Sequence, residues 1–331
     1  MHTTVRGEVV SLTADGADSA IEVRGLCKSY GETRALENVD FTVRSGEVFG
    51  YLGPNGAGKT TTINILSGLL DRDAGDLAIC GLDIVQDPVA VKRRIGVVPE
   101  ESNLYPELSC RRNLEYLGEL YGLSRAARRT RIDELLAAFD LSDKKETPFR
   151  TLSRGMKRRL TVAAGLIHSP EVLFLDEPTA GLDVPSARVL RALIQTINRD
   201  GTTVFLTTHN LAEAEALCGR ILILVKGHAV TEGTAAEIRR RVEEATSVSV
   251  VFSGHVEEEM LLETCPAVHS AVSTEGRWRL EASDSHAALT QIISFAEQQG
   301  LRVLEIGTYT TSLEDAFMTI LKQDVKREPR L

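Results

Sequence analysis

Glu47-Val48-Phe49-Gly50-Tyr51-Leu52 is a dense apolar run of strand length, and it leads straight into Gly53-Pro54-Asn55-Gly56-Ala57-Gly58-Lys59-Thr60. Residues 60–70 then carry helical spacing, so the order is strand, glycine-rich loop, helix. The loop fits G-x-x-x-x-G-K-[ST] in full and stands in the context that this motif requires. Its glycines let the backbone curl until successive N–H groups face one anion. Lys59 is predicted to reach the outer phosphates of a nucleotide, and the Thr60 hydroxyl to hold Mg2+. The positive end of the helix adds to the attraction. Gly53, Asn55, Gly56, Gly58, Lys59, Thr60 and Thr61 are thus the candidate nucleotide contacts. A glycine-rich turn carrying Lys-Thr by coincidence is the competing reading, and the flanking strand and helix weigh against it.

A second stretch, Val172-Leu173-Phe174-Leu175-Asp176-Glu177-Pro178, is an apolar strand ending in two carboxylates. Alternation along a strand sends the two side chains in different directions, which suits two different jobs. Asp176 is placed to approach Mg2+ through a water. Glu177 is then the candidate general base that polarises an attacking water. Alone, Leu-Asp-Glu-Pro reads equally as an acidic strand terminus. Downstream of a complete phosphate loop it is a strong signal.

Around these two stretches the chain reads as α/β. Residues 21–26 and 38–43 alternate apolar with polar side chains, as half-buried antiparallel strands do. Residues 94–98 form a short strand. Residues 172–175 and 203–207 are continuous apolar runs, as in parallel strands covered on both faces, with helical spacing between them over 186–198. From 109 to about 140 the pattern is helical, and 221–225 and 228–231 flank a Lys226-Gly227 hairpin turn. After the charged stretch 237–244 the character changes. Strand patterns at 247–252, 271–274, 277–281 and 302–306 alternate with helical ones at 256–264 and 286–298, and a helix over 312–322 closes the chain. The β-α-β-β-α-β order predicts a small ferredoxin-like α+β domain. The expected organisation is a flexible tail at 1–20, a main domain over 21–241 with a helical subdomain at about 100–165, and an accessory domain over 246–331.

Composition narrows the function. Among 331 residues, 43% are hydrophobic and 26% charged, which allows a real core in an ordinary globular chain. A net charge of -9 and 5% aromatic residues count against a nucleic-acid surface. Cys27, Cys80, Cys110, Cys218 and Cys265 are scattered and odd in number, which fits neither a disulfide framework nor a zinc site. Reduced thiols in a cytosolic compartment are the simpler reading. No window approaches the roughly 20 uninterrupted apolar residues of a membrane span. The arginine-rich segments 125–131 and 150–159 read first as solvated helix faces.

In this order the motifs resemble those of ABC-transporter ATP-binding subunits, over residues 21–241. The resemblance implies a P-loop NTPase fold of ABC type, with a parallel core sheet, an antiparallel β subdomain and a helical subdomain, and it implies ATP and Mg2+ as ligands. Tyr30 stands where the family places an aromatic ring against adenine. Leu152-Ser153-Arg154-Gly155-Met156 resembles the signature Leu-Ser-Gly-Gly-Gln, with Arg154 and Met156 as departures. Ser153 and Gly155 would meet the γ-phosphate of ATP held by another subunit. Asp183, in Ala180-Gly181-Leu182-Asp183, matches the loop linking two active sites. His209 resembles the switch histidine that contacts the γ-phosphate. Glu100 stands where most members carry the glutamine that contacts the metal, either with altered coupling or with the role shifted to Glu101. The arginine-rich signature, Glu100 and the closing Ser312-Leu313-Glu314-Asp315-Ala316-Phe317 are similar to the ABC-2 exporter branch.

The resemblance further implies a head-to-tail dimer, either a homodimer or a heterodimer with a related ATPase subunit, that buries two Mg-ATP molecules. A separate transmembrane permease would dock near residues 100–121, leaving this chain cytoplasmic and peripheral on the inner face of the cell membrane. No nucleic-acid partner is expected. An importer subunit, a non-transport cytosolic ABC ATPase and a binding module without turnover are the alternatives. The tail lacks the many short strands of importer regulatory domains, which favours export.

Overall fold

The computed structural model describes residues 19–242, 246–274, 276–282, 284–309 and 312–327, with the side chains of 242, 246, 247, 285, 308, 309 and 322–327 left aside. Two compact units divide between Thr234 and Ala235. In the first, β1 (Ser19–Tyr30), β2 (Thr33–Arg44), β3 (Val48–Leu52), α1 (Lys59–Leu66), β4 (Ala74–Ile79), β5 (Leu82–Asp83), α2 (Pro88–Arg94) and β6 (Ile95–Val98) come first. They are followed by α3 (Cys110–Leu120), α4 (Arg125–Ala138), α5 (Arg154–Gly165), β7 (Val172–Asp176), α6 (Val184–Arg199), β8 (Thr203–Thr208), α7 (Leu211–Leu217), β9 (Arg220–Val225) and β10 (His228–Gly233).

A six-stranded sheet runs in the order β10-β9-β3-β8-β7-β6, with only the edge strand β10 antiparallel. Strand β3, which feeds the phosphate loop, is buried at every position and lies between β8 and β9. Alternation along the strands divides the core. Phe174 and Phe205 point to one face, where they meet Phe41, Phe49 and Tyr51 with ring centroids 5.3–5.8 Å apart. Phe41 belongs to the separate antiparallel sheet β2-β1-β4-β5, so this aromatic cluster joins the two sheets. Leu173, Leu175, Val204 and Leu206 point to the other face, against Leu114, Leu136, Leu160 and Ile194 of the helices.

Several expectations change at their edges. Residues 1–18 of the expected tail lie outside the described residues, but Ser19 and Ala20 open β1, and Ala20 is buried. The helical stretch 109–140 is two helices, because Gly122 takes φ +77° and Ser124 then caps α4 through the Ala127 N–H. The first helix of the second unit, α8 (Ala235–Val242), packs against the last, α11 (Leu313–Arg327), and groups with it rather than with the ATPase core.

Between these helices lie β11 (Thr246–Phe252), α9 (Glu258–Thr264), β12 (Val268–Thr274), β13 (Arg277–Ala282), α10 (Ser285–Gln298) and β14 (Val303–Tyr309). Their antiparallel sheet runs β12-β13-β11-β14, the ferredoxin-like order. Its core gathers Val248, Val250, Trp278, Leu280, Ile292 and Phe295. In the hairpin between β12 and β13, Gly276 has φ +81°, and Glu275 lies outside the described residues.

Candidate functional site: a phosphate loop beside paired carboxylates

The loop after β3 owes its shape to glycine. Gly56 and Gly58 have φ +82° and +108°, where a side chain is strained. A Cβ on Gly58 would also stand 2.6 Å from the Ala35 carbonyl oxygen, and one on Gly53 would stand 2.4 Å from that of Leu224. Both obstacles are backbone, so neither yields cheaply. Gly58→Ala is therefore expected to weaken ATP binding at least about 30-fold and to cost about 1–3 kcal/mol of stability. Calorimetric titration and thermal melts check this, and unchanged binding would mean that the loop conformation is not what holds the phosphates.

Lys59 opens α1 and is buried. Its ammonium donates to the Gly53 and Pro54 carbonyls at 2.8 and 3.3 Å and stands 3.3 Å from Glu177 Oε1. On its other oxygen, Glu177 meets His209 Nδ1 at 2.9 Å. Glu177 is itself buried and holds φ +44°, a left-handed conformation uncommon for a non-glycine residue. Its N–H donates to both the carbonyl and the hydroxyl of Thr207, each at 3.1 Å, which fixes that backbone. The Thr207 hydroxyl donates in turn to Asp176 Oδ1. Strain held by surrounding bonds in this way concentrates at functional positions.

Asn55, Gly56, Gly58, Lys59, Thr60, Thr61, Glu100, Glu177 and His209 line one cleft of about 350 Å³. Glu100 is in it and Glu101 is not. Asp176 and Thr60 share the adjoining groove with Glu100. Thr60, Asp176 and Glu100 offer only oxygen donors, and among the described residues no cluster of three or more His, Cys, Asp or Glu forms a cage. That donor set fits Mg2+, which is held by one or two carboxylates together with substrate phosphates.

Five of the expected residues lie outside these linings, and the first, Gly53, opens the loop, where its carbonyl accepts from the Lys59 ammonium. Tyr30, at the end of β1, is half exposed with the Lys28 ammonium 5.8 Å from its ring centroid, and it does not line the cleft. Ser153 caps α5 by accepting from the Met156 N–H at 3.3 Å. Gly155 faces α6, where an added Cβ would stand 2.6 Å from Ser186 Oγ. Asp183 caps α6 through the Ser186 N–H at 2.8 Å, and hydrogen bonds to Ser186 hold its carboxyl below the usual range. The structure thus places Ser153, Gly155 and Asp183 outside the lining of their own chain's cleft.

Sequence reasoning missed Thr207 and, above all, Arg158. The segment 150–159 reads as a solvated face, yet Arg158 is only 8% exposed. Its spacing of three and four residues from the buried Thr161 and Val162 was the available signal. Burial pulls its guanidinium pKa down, while Asp176, Glu100, Glu213 and Glu177 push it up. Glu213, buried on α7, has its carboxyl pushed up by desolvation.

The sequence profile of the ABC transporter family matches residues 36–180. A daunorubicin resistance ATP-binding protein of Streptomyces coeruleorubidus is 38% identical over 93% of this chain and 98% of its own length. A linearmycin resistance ATP-binding protein of Bacillus subtilis is 32% identical over 91% and 97%. Both matches reach past the first unit. Among solved structures, a dimeric ATP-binding cassette in a post-hydrolysis state with ADP and Pi aligns at TM-score 0.60 and 28% identity, over 65% of this chain and 98% of that one. With a complete phosphate loop, a strained carboxylate beside it and relatives matched along nearly their whole length, the chain belongs to the ABC transporter family, as an ATP-binding, ATP-hydrolysing subunit.

Proposed function

We propose that this subunit powers export through a separate membrane permease of the ABC-2 type, as a dimer closing over Mg-ATP. The observation that carries the reading is the position of Glu177, held between the Lys59 ammonium and His209 at the mouth of the phosphate loop. Glu177 accepts the proton of the attacking water, and His209 orients the carboxylate and faces the γ-phosphate. Asn55, Gly56, Gly58, Thr60 and Thr61 wrap the phosphates, and Tyr30 is the proposed adenine contact. Thr60, Asp176 and Glu100 would hold Mg2+, which offsets phosphate charge when bound. Ser153, Gly155 and Asp183 stand ready for a second copy or a related subunit, so each cleft is completed across the interface. Homodimer is the simpler of the two.

Among the described residues no helix is long and apolar enough to cross a membrane. The proposed cargo path is that of the permease. A groove of about 600 Å³ is lined by residues of α1, β6, α3 and α5, and Glu100 lies in both it and the cleft. Leu69, at 71% exposed, and Tyr121 sit on its walls. A permease segment seated there would touch the residue that also faces the nucleotide. On this reading the subunit works at the cytoplasmic face of the cell membrane, held there by the permease. The resistance to daunorubicin and to linearmycin named for the two relatives favours a toxic small molecule as cargo.

The test uses cells lacking this chain. They should retain more daunorubicin or linearmycin than wild type, and the tagged chain should bring a polytopic membrane protein out of solubilised membranes. Lower uptake in the deletion strain would favour an importer instead. Recovery without any membrane protein would refute the permease reading.

A further inference from the structure

Arg158 lies one turn into α5, and each of its five N–H groups has a partner. Nε donates to the Pro178 carbonyl at 2.8 Å, Nη1 to those of Pro99 and Glu100, and Nη2 to those of Asp176 and Glu177 at 2.6 and 3.2 Å. These carbonyls belong to two segments only. Residues 99–100 follow β6, and 176–178 end and follow β7. The two strands are parallel neighbours, with Val98 opposite Leu175, and beyond that pair their chains diverge. At the carboxyl ends of such strands, where ligands of parallel sheets bind, no ladder hydrogen bonds remain to fix one segment against the other. One guanidinium replaces them.

We propose that Arg158 is a positioning residue for hydrolysis, fixing Glu177 relative to Glu100 and passing any movement of α5 to both. The inference rests on the reading of Glu177 as base and Glu100 as the metal-side carboxylate. Arg158 touches no reacting atom in this scheme. Its work is geometric: carbonyls on both sides of the divergence are held by one rigid planar fork, which a lysine cannot imitate with three donors on a single atom. It also explains why a charge is kept where burial opposes it. An apolar residue would leave five carbonyls without their donor. Because α5 begins at Ser153 and Gly155, the residues proposed to meet the partner's nucleotide, closure of the dimer would press on the same helix that holds the base in place.

Full-length protein carrying Arg158→Lys or Arg158→Gln tests this, each also combined with Glu100→Gln. The expected result is a fall in kcat of roughly 30-fold or more, with KM for ATP within about threefold of wild type, because placement of the base is lost while the phosphate loop is intact. Glu100→Gln alone should shift the Mg2+ concentration for half-maximal activity. In the Arg158→Lys background that shift should disappear, since Glu100 is no longer held to a fixed place. Two outcomes overturn the proposal: activity lost only in proportion to the unfolded fraction seen by circular dichroism, or an undiminished Glu100→Gln shift in the double variant. If Arg158→Lys does not fold, the same two readings on Arg158→Gln decide, that side chain keeping a donor pair without a charge. Failure of the underlying reading looks different, because wild-type protein would then show no Mg2+-dependent turnover.

Discussion

Glutamine in place of Glu177 is expected to lower ATP turnover by roughly a thousandfold while leaving ATP binding in place. The side chain keeps its size, so the cleft and the His209 contact survive, but an amide cannot accept a proton from water. The change also removes the negative charge 3.3 Å from the Lys59 ammonium. That ammonium is then free of its carboxylate and turns more fully to phosphate, so affinity for ATP should hold or rise. With binding kept and turnover stopped, a dimer completed by Ser153 and Gly155 of each copy should accumulate in ATP and not in ADP. Light scattering during size exclusion reads the dimer, and phosphate release reads the turnover. A variant that hydrolyses ATP at even a tenth of the wild-type rate would remove Glu177 as the base. A variant that is inactive yet monomeric in saturating ATP would leave the base but sink the shared interface.

What could be read from the sequence was local and what could not was long-range. The phosphate loop, Asp176, Glu177 and His209 are legible because each follows an apolar strand directly, and a parallel strand buried on both faces announces itself as a continuous run. The ferredoxin-like order was legible for a similar reason, since hairpin turns and helical spacing alternate over short distances. Arg158 was not. Its acceptors lie 18 to 59 residues away, and all are backbone carbonyls, which carry no residue identity to search for. Strand β4 was missed because Gly75 and Asp76 interrupt its pattern, although Gly75 is needed there: its φ is +105°, and a side-chain Cβ at that position would stand 2.7 Å from the Gly25 carbonyl oxygen. The break between α3 and α4 turns on one left-handed glycine inside an apolar rhythm that runs through it. Tyr30 lies outside the lining of the phosphate cleft, so its proposed contact with adenine rests on its motif position.

Lys59→Ala is expected to remove ATP binding at working concentrations, with affinity falling at least about 100-fold. The loop presents its N–H groups whatever stands at position 59, so the loss measures the ammonium alone. A charge-assisted hydrogen bond contributes about 1.5–3 kcal/mol, and a buried, desolvated cation facing phosphate lies at the upper end of that range. The structure shows why another cation would not serve. The ammonium sits within 2.8 and 3.3 Å of the Gly53 and Pro54 carbonyls, at the end of a side chain that folds back over its own loop. A guanidinium is wider and flat, and it would have to displace either those carbonyls or Glu177, so Lys59→Arg should lose most of the affinity as well. Stability should change far less than binding, because Glu177 retains His209 and the Thr207 anchor of its backbone. Isothermal titration with Mg-ATP beside a thermal melt separates the two effects. Affinity within threefold of wild type in Lys59→Ala would mean that the loop amides alone hold the phosphates. The carboxylates beside them would then have to be explained without a lysine between them and the nucleotide.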